Sequence, residues 1–192
     1  MRKAPVSAVV VFVLDCSDSM QTEARITAAQ GAVIGLLTPI YQSRYEVAVV
    51  VFQDEEAKIV LPASRSVARA RNVLKNLWIG GATPLAQGLI EARREARNVR
   101  AKAPGVEALL VLLSDGESNV PLQPGGSITR ELDDVTNLLQ AERIRVLAVD
   151  SGASIEGQRT LQRIAEGTGG TYMRLERMRA QGVYKAVMHA IR

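Results

Sequence analysis

Residues 8–14 read Ala-Val-Val-Val-Phe-Val-Leu, seven apolar side chains in unbroken succession. Side chains of a strand point alternately to its two faces, so a strand of this kind must be covered on both sides. Similar runs recur at Glu46–Phe52 (EVAVVVF), Val106–Leu113 (VEALLVLL) and Ile144–Val149 (IRVLAV). The stretches between them carry apolar residues at helical spacing. Buried strands alternating with amphipathic helices predict an open, mostly parallel α/β sheet with helices on both faces.

The intervening elements follow from period and punctuation. Ile26, Ala29, Val33, Leu37 and Ile40 predict a helix from about Thr22 to Thr38, with Pro39 marking its end. Asp54-Glu55-Glu56 predicts a turn, and Lys58–Leu61 a short strand that pairs back as one antiparallel edge. Val67, Ala70, Leu74 and Leu77 mark a short helix. Leu85, Leu89, Ala92, Ala96 and Val99 mark a longer one, which Pro84 opens. A loop from Ser114 to Ser127 precedes a helix carrying Leu132, Val135 and Leu139. Leu161, Ile164 and Ala165 mark the next helix, Thr171–Leu175 a last strand, and Val183, Val187 and Ile191 a final helix. No repeat, low-complexity tract or linker interrupts the pattern, so residues 1–192 read as one domain.

Composition closes off several functions. A net charge of +4 is mild for a nucleic-acid binder, and none is expected. Arg93, Arg94, Arg97, Arg100 and Lys102 cluster late in one helix, either as a solvated face or as a docking patch for an acidic partner. No apolar run approaches the ~20 residues that span a bilayer. The basic start Met1-Arg2-Lys3 is followed by an apolar run that ends at Asp15, which does not read as a signal peptide. The single cysteine, Cys16, excludes an internal disulfide and suits the cytoplasm.

Ligands of such sheets bind beyond the carboxyl ends of the strands, where the strand order reverses. Three loops there carry oxygen. The first is Asp15-Cys16-Ser17-Asp18-Ser19-Met20, the second Gly80-Gly81-Ala82-Thr83-Pro84, and the third Ser114-Asp115-Gly116-Glu117-Ser118-Asn119. Oxygen-only donors suit a hard cation such as Mg²⁺, Mn²⁺ or Ca²⁺ and not zinc or copper. Two carboxylates nearly balance a dication, and neutral hydroxyls hold geometry while leaving it able to take one more anion. Read singly, Asp15 could end a strand, Ser17 or Ser19 could cap a helix, and Asp115-Gly116 could be a turn.

D-x-S-x-S after the first strand, Gly-Gly-x-Thr-Pro-Leu before a helix and Ser-Asp-Gly after a later strand together resemble the metal-ion-dependent adhesion site of von Willebrand factor type A (VWA) domains. The resemblance spans nearly the whole chain. It implies a Rossmann-like three-layer sandwich whose mostly parallel six-stranded sheet has one antiparallel edge strand. It also implies Mg²⁺ (or Mn²⁺) on Asp15, Ser17, Ser19, Thr83 and Asp115. Leu112–Leu122, Leu61–Ser66 and Thr83–Leu89 are similar to the C-terminal domain of the magnesium chelatase D subunit. That likeness implies an AAA+ ATPase partner, and a porphyrin-binding chelatase subunit as a further one, reached through a partner carboxylate. The assembly would insert Mg²⁺ or Co²⁺ into a tetrapyrrole. The family usually has Gly where this chain has Asp18. Asp18, Glu117 and Asn119 are candidate partner contacts.

Two other readings remain open. One is a stand-alone adaptor for a MoxR- or chelatase-type ATPase in another pathway. The other is an aspartyl phosphotransferase with Asp15 as nucleophile, but Ser17 stands where the second Asp of such enzymes acts as general acid. His189, the sole histidine, lies in the last helix near the C-terminus and reads as a surface residue, so no Ser-His-Asp triad is expected. No G-x-x-x-x-G-K-[ST] or G-x-G-x-x-G occurs. No catalytic residue is expected.

Overall fold

The computed structural model describes residues 7–20, 23–43, 45–152, 154–175 and 180–190. Among the described residues six strands form one sheet: β1 (Ala8–Asp15), β2 (Glu46–Gln53), β3 (Glu56–Ser64), β4 (Glu107–Ser114), β5 (Arg145–Asp150) and β6 (Thr171–Arg174). Their order is β3-β2-β1-β4-β5-β6. Only β3 runs antiparallel, paired to β2 at one edge. The helices are α1 (Glu23–Gln42), α2 (Val67–Lys75), α3 (Leu85–Lys102), α4 (Ile128–Ala141), α5 (Ile155–Gly167) and α6 (Ala180–Ala190).

The period-2 geometry of β1 divides the core. Val9, Val11 and Val13 pack with Leu89, Ala92, Leu132, Val135, Leu161 and Ile164, which places α3, α4 and α5 on one face. Val10, Phe12 and Leu14 pack with Val33, Leu37, Ile40, Leu74 and Val187, which places α1, α2 and α6 on the other. Every residue of β1 is buried, as its composition requires. Burying a Val or Leu completely stabilises by about 1.5–3 kcal/mol, so the central strand anchors both layers.

Several boundaries differ from expectation: Leu77 lies beyond the end of α2, Leu175 beyond the end of β6, and two further differences have a visible cause. Pro39 does not end α1; it sits inside the helix, which runs on to Gln42. A proline near a helix end forfeits only its own N–H bond, and the next turn survives. Ser43 secures that turn, its N–H and Oγ both donating to the Pro39 carbonyl at 3.1 and 3.0 Å. The edge strand β3 is longer than Lys58–Leu61 and contains Glu56 and Pro62. Pro62 and Ala63 together face Ala48, a bulge that needs no N–H from proline. The Ala63 N–H freed by the bulge donates instead to the buried Glu95 carboxylate at 2.7 Å. Met1–Pro5, the expected helix start at Thr22, and Ile191 lie outside the described residues.

Part of the basic cluster on α3 is paired within the fold, while Arg94 and Arg97 stay largely exposed. Arg93 pairs with Glu142. Arg100 donates to the carbonyls of Val106 (3.0 Å), Glu142 (2.6 Å) and Arg143 (3.3 Å). Arg94 pairs with Glu91 one turn away. The Arg93 and Arg100 bonds to Glu142 and Arg143 tie α3 to the end of α4, where free carbonyls need donors.

Candidate metal centre

β1 has β2 on one side and β4 on the other, so the order reverses at β1. Asp15 is the last residue of β1, and Asp115 directly follows the last residue of β4. Both carboxylates therefore lie at the carboxyl edge of neighbouring central strands, as the position of such crevices requires.

The first loop turns tightly on Asp15. Its Oδ1 accepts the Ser17 N–H at 3.0 Å and the Ser17 hydroxyl at 2.5 Å. A single 3-10 turn over Asp18–Met20 then brings Ser19 Oγ within 3.0 Å of Ser17 Oγ. The two-residue spacing thus gathers three oxygen-bearing side chains in a line of contacts.

Backbone bonds stitch the second loop to the first. Gly80 N–H donates to the Cys16 carbonyl at 2.8 Å, and Asp18 N–H to the Gly81 carbonyl at 2.9 Å. Gly81 has φ +87°, and a Cβ there would come within 1.7 Å of Asp54 Oδ1. Only glycine fits that position. Thr83 is held from the third loop: its N–H donates to Asn119 Oδ1 at 2.7 Å, and its carbonyl accepts the Asn119 N–H at 3.3 Å. Gly116 also has positive φ (+76°), and a Cβ there would lie 2.2 Å from the Gly157 carbonyl oxygen. The third loop is thereby pressed against the start of α5.

The electrostatics are those of an anion pocket short of a cation. Burial raises the Asp15 carboxyl to about 6, opposed by hydrogen bonds from Ser114 and Ser17 and reinforced by the nearby charge of Asp115. Among the described residues, no Lys, Arg or His pairs with Asp15 or Asp115. Thr83 is 3 % exposed. Among the described residues, no three or more His, Cys, Asp or Glu side chains gather to hold a metal. A cation here would depend on hydroxyl oxygens beside the two carboxylates, which fits a hard dication and excludes a thiolate or imidazole site.

Comparison with known proteins decides the family. The von Willebrand factor type A domain profile matches residues 10–186. The chain belongs to this family. As a VWA domain it is 30 % identical over 188 residues to the magnesium-chelatase 67 kDa subunit of Chlorobaculum tepidum, covering 93 % of this chain and 30 % of that protein. It is 35 % identical over 144 residues to the magnesium-chelatase 60 kDa subunit of Rhodobacter capsulatus, covering 74 % and 25 %. An uncharacterized Mycobacterium tuberculosis protein, Rv2850c, is 34 % identical over 191 residues, covering 97 % and 29 %. The chain thus spans less than a third of the length of these relatives. Among solved structures, the VWA domain of SpRpn10 superposes with a TM-score of 0.72 at 11 % identity, covering 96 % and 95 %. BatB from Bacteroides thetaiotaomicron does so with 0.75 at 17 %, covering 95 % and 98 %. The fold is that of a VWA domain, and the chain is a VWA module related to magnesium-chelatase subunits.

Within this VWA domain, Asp15, Ser17 and Ser19 form one contact chain, Thr83 faces the same cleft, and Asp115 lies close enough to raise the Asp15 carboxyl. Asp18, Glu117 and Asn119 line that cleft and are exposed. Sequence reasoning assigned no role to Ser114. Its hydroxyl donates to Asp15 Oδ2 at 2.6 Å and accepts the Gly116 N–H at 3.0 Å, which joins the first and third loops. It also missed a brace from β6. Tyr172 donates to Asp150 Oδ2 at 2.5 Å, Gly152 N–H to Asp150 Oδ1 at 2.8 Å, and Arg174 to the Gly152 carbonyl at 3.0 Å. A Cβ on Gly152 would fall 2.6 Å from Asp115 Cβ, so this brace backs the third loop. The signal for Ser114 was its place before Asp115 in a strand-ending Ser-Asp-Gly; the brace carried none.

Proposed function

We propose that the chain, as a single VWA domain, is a metal-dependent protein-interaction module of a chelatase D-like protein. Asp15, Ser17, Ser19, Thr83 and Asp115 would hold Mg²⁺ or Mn²⁺. The observation that carries this reading is the buried Asp15 carboxylate, 5 % exposed, beside Asp115 and bonded by the Ser17 and Ser114 hydroxyls, with no Lys, Arg or His paired to it among the described residues. A bound dication supplies a Lewis-acidic position that a partner's carboxylate can complete.

This chain's residues do the positioning. Ser17 and Ser114 donate to the two oxygens of Asp15 and hold the carboxylate in one orientation. Asn119 fixes the backbone of Thr83. The kinship with magnesium-chelatase subunits supports an AAA+ ATPase as the partner, in an assembly that inserts Mg²⁺ or Co²⁺ into a tetrapyrrole, within the cytoplasm. A stand-alone adaptor for a MoxR- or chelatase-type ATPase uses the same site. The phosphotransferase reading is disfavoured, because Ser17 stands where such an enzyme needs an acid.

Co-purification with the ATPase subunit of a magnesium chelatase tests the reading. Binding in Mg²⁺ that is lost in EDTA, and lost in Asp15→Ala and Asp115→Ala, is expected. Equal retention of wild type and both variants in EDTA would contradict it.

A further inference from the structure

Nothing acidic occurs between Glu56 and Glu91, a stretch that holds Lys58, Arg65, Arg69, Arg71 and Lys75. The last three lie on α2, whose Ala70 and Leu74 are buried. Val67, Arg71 and Lys75 follow one another at four-residue spacing and so share a face. With Ala68 and Asn72 they line an open groove of about 450 Å³. Ala68, Arg71, Asn72 and Lys75 are exposed. Among the described residues no carboxylate pairs with Arg69, Arg71 or Lys75, whereas Glu91 and Glu142 take up arginines of α3.

Helix stability does not account for this charge. Cations suit the last turn of a helix and oppose its dipole in the first. Lys75 sits in the last turn, but the first turn has no acid and contains Arg69. α4 and α5 instead place Glu131 and Glu156 in their first turns. A second feature follows the groove in the chain. Trp78, three residues beyond Lys75, is 65 % exposed. Its indole is nevertheless held in place: a Cβ on Gly80 would fall 2.9 Å from the ring. Trp and Arg are the residues most enriched where binding energy concentrates at protein interfaces.

We propose that α2 and Trp78 form a docking surface for an acidic segment of a partner protein. Carboxylates of the segment pair with Arg71 and Lys75. An apolar side chain between them beds on Val67, Ala68 and the alkyl stems of the two cations. Trp78 supplies the aromatic anchor. Charge complementarity decides the occupant. A nucleic acid is a poorer match, because its affinity grows with the number of phosphates neutralised, and this groove offers only Arg71 and Lys75. One indole also gives no succession of stacking platforms. The groove shares no lining residue with the cleft at the metal centre and needs no dication, so this inference stands apart from the metal-site reading.

Anisotropy of fluorescein-labelled probes tests this in EDTA, where no dication contributes. The probes are a dodecapeptide of repeated Glu-Glu-Leu, its Gln-Gln-Leu counterpart, and oligo-dT of equal length. The Glu-Glu-Leu peptide should bind about tenfold or more tighter than the Gln-Gln-Leu peptide at low salt, and tighter than oligo-dT, with its affinity falling as salt rises. Arg71→Glu/Lys75→Glu should weaken that binding about tenfold or more, and Trp78→Ala about fivefold. Lys102→Glu/Arg159→Glu makes the same change of net charge on α3 and α5 and should leave binding within about twofold. All five positions are exposed, so the variants should keep the wild-type circular dichroism. No binding of the Glu-Glu-Leu peptide, equal binding of the Gln-Gln-Leu peptide, tighter binding of oligo-dT, or an equal loss in both charge-reversed pairs overturns the inference.

Discussion

Ser114 and Asp15 stand 99 residues apart in the chain, yet the Ser114 hydroxyl donates to Asp15 Oδ2 at 2.6 Å. The bond joins the ends of β1 and β4 and fixes the one orientation in which Oδ1 faces Ser17.

Ser114→Ala should therefore weaken the site without removing a proposed ligand. Loss of an orienting partner typically costs 10–100-fold in metal affinity. The fold should lose about 1 kcal/mol, the worth of one hydrogen bond. Isothermal titration with Mn²⁺ and urea unfolding of the variant check the two effects separately.

The metal-free protein should respond to pH through Asp15. Its folded carboxyl, raised from 3.8 to about 6, binds protons more tightly than in the unfolded chain. Stability from this group is then greatest below about pH 4, falls as pH rises to about 6, and is absent above that. The span corresponds to a penalty of order 3 kcal/mol at neutral pH. In EDTA, Asp15→Asn should be more stable than wild type at pH 7, and the difference should shrink toward pH 4. Urea midpoints across that range measure it.

Cys16 should be inert in the native state. It is 3 % exposed, and burial, with the charge of Asp15 adding to it, pushes its thiol up to about 12. Thiol labelling at pH 8 should be slow in buffer and rapid in denaturant. Fast stoichiometric labelling of the folded protein would contradict the packing of the first loop.

Gly116→Ala should destabilise by about 2 kcal/mol or more. It places a Cβ in positive-φ backbone and drives it to 2.2 Å from the Gly157 carbonyl oxygen, which cannot retreat like a flexible side chain. Gly105→Ala is the control, since its φ is also positive (+87°) but nothing lies within 4 Å. It should cost about 1 kcal/mol. Thermal unfolding of both variants separates collision from backbone strain.

The layered fold was legible because β1, β2, β4 and β5 carry continuous apolar runs that only a doubly covered sheet can bury. The strand-end positions of Asp15 and Asp115 were legible because each directly follows such a run. What escaped was settled by tertiary contacts. Pro39 stays in α1 because one lost N–H bond near a helix end is cheap. β3 runs through Pro62 because the bulge faces Ala48 and Glu95 takes up the Ala63 N–H. The tie from Arg93 and Arg100 to the end of α4 escaped because it depends on two helix ends meeting in space. The Tyr172–Asp150–Gly152–Arg174 brace joins residues whose identities alone carry no pairing signal.

The central claim is that Asp15 and Asp115, with three hydroxyls, hold a hard dication. Calorimetric titration of Mg²⁺ and Mn²⁺ into the EDTA-treated chain at pH 7, with thermal unfolding at each concentration, tests it most directly. One binding event is expected. At tenfold excess over the dissociation constant it should stabilise by about 1.4 kcal/mol, a rise of roughly 3–5 °C. Both effects should vanish in Asp15→Ala and Asp115→Ala. No binding heat, with an unfolding midpoint that saturating metal leaves in place, would contradict the account.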